Sequence, residues 1–107
     1  MSYDITLLRD GDPVTVERHT EGGIHILGGT DRADLNVTYN YYRHFDFRGL
    51  DGRTGADTLF ELKAGVALLG VERDPDYWNP TEGNVVYTLE ILRRWAEQYP
   101  DATWEVV

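Results

Sequence analysis

The chain has no cysteine, which excludes disulfides, thiolate nucleophiles and every metal site built on sulfur. Ser2 is the only serine and no Gly-x-Ser-x-Gly elbow occurs, so a serine nucleophile is excluded as well. Positive charge is scarce: ten Lys and Arg against nineteen Asp and Glu leave a net charge of −9. The deficit is spread evenly, with ten acids against six bases in residues 1–58 and nine against four in residues 59–107. Such a surface repels a phosphate backbone, so direct nucleic-acid binding is not expected, whereas competition for a basic protein partner is open to it. No apolar run approaches the roughly 20 residues that a membrane helix needs, and Met1-Ser-Tyr-Asp-Ile-Thr6 has no basic segment leading into an apolar one. No membrane partner and a cytoplasmic location are the expectations.

What is present is core-forming. With 107 residues, 41% of them apolar, three Trp and seven Tyr, the composition predicts one folded domain over 1–107 with a single core. The best-specified stretch runs from Asp76-Tyr-Trp-Asn-Pro-Thr-Glu-Gly-Asn84 into Val85 and on to Tyr99. Thr81 can cap a helix by accepting from the Asn84 N–H, so a helix is predicted to begin at Glu82. Val85, Leu89, Leu92, Ala96 and Tyr99, widened by Thr88 and Trp95, then form one buried stripe that ends before Pro100. Glu90 stands four residues before Arg94, a spacing that supports the helix.

Earlier in the chain, Tyr3–Leu8 and Val14–His19 alternate about Asp10-Gly-Asp-Pro13, which predicts a β-hairpin. Ile24–Leu27 reads as a short third strand ended by Gly28-Gly29. Leu35-Asn-Val-Thr-Tyr-Asn-Tyr41 enters extended and leads into a short helix near 41–47. Thr58-Leu-Phe-Glu61 has capping-box spacing for a helix over about 58–69, with Gly70 as a left-handed terminator. Ala102–Val107 reads as a last strand that rejoins the hairpin. The fold class that follows is α+β: a three- or four-stranded antiparallel sheet packed against two main helices, about 58–69 and 82–99.

Candidate chemistry is thin. His19 and His25 fall on neighbouring predicted strands but show no carboxylate–histidine spacing of a catalytic zinc type, so neither a metal nor a cofactor is expected. Gly28-Gly-Thr30 and Gly52-Arg-Thr-Gly55 lack the lysine and the spacing of a phosphate cradle. Close carboxylate pairs such as Asp74 with Asp76 arise by chance among nineteen acids, and no catalytic residue is assigned. There remains a set of planar and amide side chains, Asn36, Tyr39, Asn40 and Tyr41 in one stretch and Tyr77, Trp78 and Asn84 in the other, joined by the Thr81 hydroxyl and by Gly83, which permits close approach. Side chains of this kind stack on flat ligands and read their hydrogen-bonding edges, and the helix start at Gly83-Asn84 offers N–H groups to an anion. Tyr39, Asn40, Tyr77 and Asn84 are therefore expected to meet at the mouth of one pocket. The competing expectation is that these groups satisfy one another as a polar network with no cavity left.

Leu35-Asn-Val-Thr-Tyr-Asn-Tyr41, Asp76-Tyr-Trp-Asn-Pro-Thr-Glu-Gly-Asn84 and the ending Trp95-Ala96, Tyr99-Pro-Asp101, Trp104 resemble a family of small phage and bacterial proteins that carry LN-I/V-TYNY and DYW-x-PT-x-GN segments. The likeness spans nearly the whole chain, departing at Glu82 where relatives carry proline. It implies a phage or prophage origin and no particular activity. The expected function is a non-enzymatic binding domain that sequesters a small planar or nucleotide-like signal in evasion of host defence. The alternative is an acidic protein–protein module or an inhibitor of a basic host protein, with homo-oligomerisation open to either.

Overall fold

The computed structural model describes residues 1–20 and 29–107. The expected strand at 24–27, with His25 and the Gly28 turn, lies outside the described residues. The architecture is α+β, an antiparallel sheet with two main helices and short 3₁₀ turns.

Strand β1 (Ser2–Arg9) is central. Tyr3, Ile5 and Leu7 on it are buried, as the alternation predicts. Asp10 (φ 53°) and Gly11 (φ 84°) both turn left-handed, the requirement of a two-residue type I′ reversal, and β2 (Asp12–Pro13) returns with Arg9 opposite Asp12. The hairpin is shorter than expected. After Val14 the chain leaves β1, and β3 (Thr15–His19) pairs with β4 (Thr30–Arg32) instead. The cause is competition for one strand edge. Leu7 donates its N–H to Ala33 O and accepts from the Val14 N–H, both at 3.0 Å, so beyond this point that edge belongs to β5 (Asp34–Thr38). On the opposite edge lies β6 (Thr103–Val106), which rejoins β1 antiparallel with Leu7 opposite Trp104.

Helix α1 (Gly55–Leu68) begins one turn before the expected capping box. Thr54 is its cap, accepting from the Asp57 N–H at 3.1 Å. Thr58 is buried inside the first turn, where its hydroxyl accepts the Trp104 indole N–H at 2.8 Å and so ties α1 to β6. Glu61 is drawn away to the Arg53 guanidinium. At the other end the chain becomes extended at Leu69, and Gly70 is not left-handed; its N–H donates to the Glu82 carboxylate at 3.2 Å.

Helix α2 (Glu82–Gln98) starts where predicted, with the Thr81 hydroxyl accepting from the Asn84 N–H at 3.2 Å. Val85, Thr88, Leu89, Leu92, Trp95 and Ala96 are buried, and Ile91 joins them. Glu90 pairs with Arg93 at 2.6 Å, while Arg94 reaches only the Glu90 carbonyl. The two helices run antiparallel and close: a Cβ on Gly55 would meet the Ala96 and Tyr99 carbonyls, and one on Gly65 would lie 2.7 Å from Leu89 Cδ1. Gly65 therefore offsets its low helix propensity by admitting Leu89. The short helix expected near 41–47 is a 3₁₀ turn at Tyr39–Arg43, set two residues earlier because the Thr38 hydroxyl caps it through the Asn40 N–H.

Candidate functional site

The segment between the helices, residues 70–81, lies over the start of α2 and is held there from below. Asn84 is fully buried, and its amide is spent on this segment: Oδ1 accepts from the Asp74 N–H at 3.0 Å, while Nδ2 donates to Asp76 O at 3.2 Å and Asn79 O at 2.9 Å. Gly83 is in backbone contact with the same segment, donating its N–H to Glu72 O at 2.9 Å; a Cβ there would stand 2.3 Å from that oxygen. The free N–H groups expected at this helix start are thus taken by the chain's own carbonyl and by the Thr81 hydroxyl.

The second stretch is stitched to the first. Tyr41 is buried and donates its hydroxyl to Tyr77 O at 2.6 Å. The Tyr77 hydroxyl accepts from the Thr38 N–H and donates to Asn36 O at 3.2 Å. Burial pushes the Tyr77 phenol up to about 12, opposed by the bond from Thr38, and burial together with the nearby Tyr77 and Asp76 pushes Tyr41 up as well. Asn40 Nδ2 donates to Trp78 O at 2.9 Å, and His44 Nε2 lies 3.1 Å from Pro80 O. The arrangement is the mutually satisfied network: among the described residues no buried side-chain nitrogen or oxygen lacks a partner. Asn40, Tyr41, Tyr77, Trp78, Thr81, Gly83 and Asn84 are therefore brought together, as one rigid assembly. Asn36 and Tyr39 point elsewhere. Asn36 Nδ2 donates to Ser2 and Asp4, and the Tyr39 ring packs on Tyr3 at 4.5 Å. Of the expected ligand contacts, Trp78 stays open at 54% exposed and Asn40 is exposed too, and Tyr42, next to the first stretch, is 66% exposed.

A groove of about 840 Å³ lies on a different part of the molecule, between β3 and the C-terminal half of α2. Among the described residues its lining includes Arg18 and His19 from β3 and Tyr87, Ile91, Arg94 and Trp95 from α2. Ile91 and Trp95, each under 5% exposed, form the floor. The His19 ring meets Trp95 edge-on at 4.7 Å, and its Nε2 lies 2.6 Å from Arg32 O, so β4 holds it against the floor. Sequence reasoning placed Trp95 in the core stripe and did not single out this groove. A second helical stripe, Tyr87, Ile91, Arg94, Trp95 and Gln98, is present in the sequence at steps of four, three, one and three. What covers that stripe depends on β3 leaving β1, which local pattern does not reveal.

Among the described residues no group of three or more His, Asp or Glu side chains is placed to hold a metal, and no helix is long and apolar enough to cross a membrane. Comparisons with protein-family profiles, with curated proteins and with solved structures find no match for the chain, so the resemblance to small phage proteins rests on the quoted segments alone.

Proposed function

We propose that the chain is a non-enzymatic binding domain whose ligand is a small planar molecule held in the groove between β3 and α2, rather than at the start of α2. One observation carries the reading: a concavity of about 840 Å³ with an apolar floor of Ile91 and Trp95 and a polar rim, within the roughly 300–1,000 Å³ of small-molecule sites. The groups at the α2 start, by contrast, are consumed by their own network, and a site needs uncommitted donors and acceptors. Sequestration of a nucleotide-like signal in the cytoplasm of a bacterial host, the role expected from the sequence, is compatible with such a groove.

The test is native mass spectrometry on protein purified from an expressing host, with NMR mapping of any retained molecule. Gln98, exposed on the groove rim, offers a blocking variant, Gln98→Trp, that leaves both arginines in place. Retained mass in the parent that disappears in the variant supports the reading. A consistently empty parent, with planar heterocycles shifting no groove amide, refutes it.

A second reading has its own observation. Trp78 and Tyr42 are exposed on backbone pinned by the Asn40, Tyr41 and His44 bonds, and rigid exposed aromatics are typical anchors of protein interfaces. They would serve the protein–protein module. Capture of a basic partner by the parent, lost in Trp78→Ala, would favour it.

A further inference from the structure

Cationic side chains are scarce here, and most of the described ones are accounted for. Arg9, Arg53, Lys63 and Arg93 are held by carboxylates. Arg48 and Arg73 lie over tyrosine rings, Arg73 at 4.4 Å from the Tyr87 centroid. Arg18, Arg32, Arg43 and Arg94 remain, with no carboxylate within ion-pair distance among the described residues, and of these Arg18 and Arg94 line the groove. Arg94 uses only Nε, on Glu90 O at 3.3 Å, which leaves its terminal nitrogens unspent. Two carboxylates also line the groove. Glu97 is already shared between Arg93 at 2.9 Å and Lys63 at 3.7 Å, so Glu17 is the one that subtracts from the local positive charge.

We propose that the groove takes a planar ligand bearing an oxyanion group, with that group seated by the guanidinium groups of Arg18 and Arg94 and the flat part lying along the Tyr87, Ile91 and Trp95 side. This rests on the reading of the groove as the ligand site and adds the class of ligand. The physical reason is complementarity. A guanidinium presents paired N–H donors whose spacing matches phosphate and carboxylate oxygens, and such charge-assisted bonds are about twice as strong as neutral ones. A chain of net charge −9 repels an anion at long range. A local pair of uncommitted cations above an apolar floor is where that repulsion reverses sign.

The experiment titrates three probes, adenosine 5′-monophosphate, adenosine and benzoate, into the parent, Arg18→Ala, Arg94→Ala and Gln98→Trp, read by amide chemical shifts. The expected result is that the monophosphate binds at least about tenfold more tightly than adenosine and that each arginine variant removes about tenfold of that preference. Added salt should weaken the monophosphate and leave adenosine unchanged. Benzoate binding that is lost in both arginine variants supports a general oxyanion seat; monophosphate binding without benzoate binding supports a phosphate-specific one. Equal affinity for monophosphate and adenosine, or monophosphate binding indifferent to both arginines, overturns the oxyanion class while the groove stands. Binding that shifts amides away from the groove and survives Gln98→Trp overturns the groove itself.

Discussion

Asn84→Ala separates a structural role for the buried amide from a ligand-binding one. In the parent the amide makes three hydrogen bonds, to Asp74 N–H, Asp76 O and Asn79 O, and no part of Asn84 reaches solvent. At about 0.5–1.5 kcal/mol net per bond the loss is roughly 1.5–4.5 kcal/mol, with water entry favouring the lower half and a dry void the upper. A middle value near 3 kcal/mol corresponds to a Tm lower by about 10–20 °C for a domain of this size. Asn84→Asp sharpens the test. It keeps the volume and one acceptor but sets a carboxylate oxygen against the Asp76 and Asn79 carbonyls, so its cost should be at least as large. The assay is thermal unfolding by circular dichroism with no ligand added, paired with hydrogen exchange at the Asp74 amide, which should lose protection in both variants. A Tm within about 2 °C of the parent, the range of ordinary surface substitutions, would refute the structural assignment.

Leu89→Ala should cost about 3–5 kcal/mol, the upper part of the usual range, because the Gly65 notch that Leu89 fills has no side chain to collapse into the space; denaturant unfolding measures it, and a cost below about 1 kcal/mol would refute the assigned packing. Tyr77 carries a pH signature. Its folded phenol is pushed up to about 12 while the unfolded one titrates near its ordinary 10, so the stabilisation is whole below pH 10 and is lost as pH rises toward 12. Tyr77→Phe should flatten the fall in Tm across that window, and an alkaline slope identical to the parent's would refute it.

The parts of the fold legible in sequence are those decided within a few residues. Thr81 three residues before Asn84 sets the α2 start, and the alternation of Tyr3, Ile5 and Leu7 sets the buried face of β1. Where two local solutions compete, a distant contact decides. Thr54 and Thr58 can each cap a helix, and the choice of Thr54 goes with the indole of Trp104, far along the chain, taking the Thr58 hydroxyl. The hairpin was legible at its turn but not in its length, since β5 claims the edge of β1 at Ala33. The candidate site divides in the same way. The composition of 36–41 and 77–84 marked a polar assembly, but most partners of those amides and phenols are backbone groups, and their positions are set by the path of the chain through 70–81. The Arg18–Arg94 groove needed two elements far apart in sequence, and no short pattern announced it.

The placement of β6 bears on the order in which contacts can form. One edge of β1 is filled by Thr103–Val106, which is far from it in sequence. Trp104, whose indole joins this strand to α1, is equally distant from β1 in sequence. Until that pairing forms, β1 has an open strand edge and the two-helix layer lacks its anchor to the sheet. Pairings that close loops of about a hundred residues are slow to form, and an edge left open in the meantime is a template for pairing with other chains. The net charge of −9, spread along both halves of the sequence, opposes such pairing between chains through mutual repulsion.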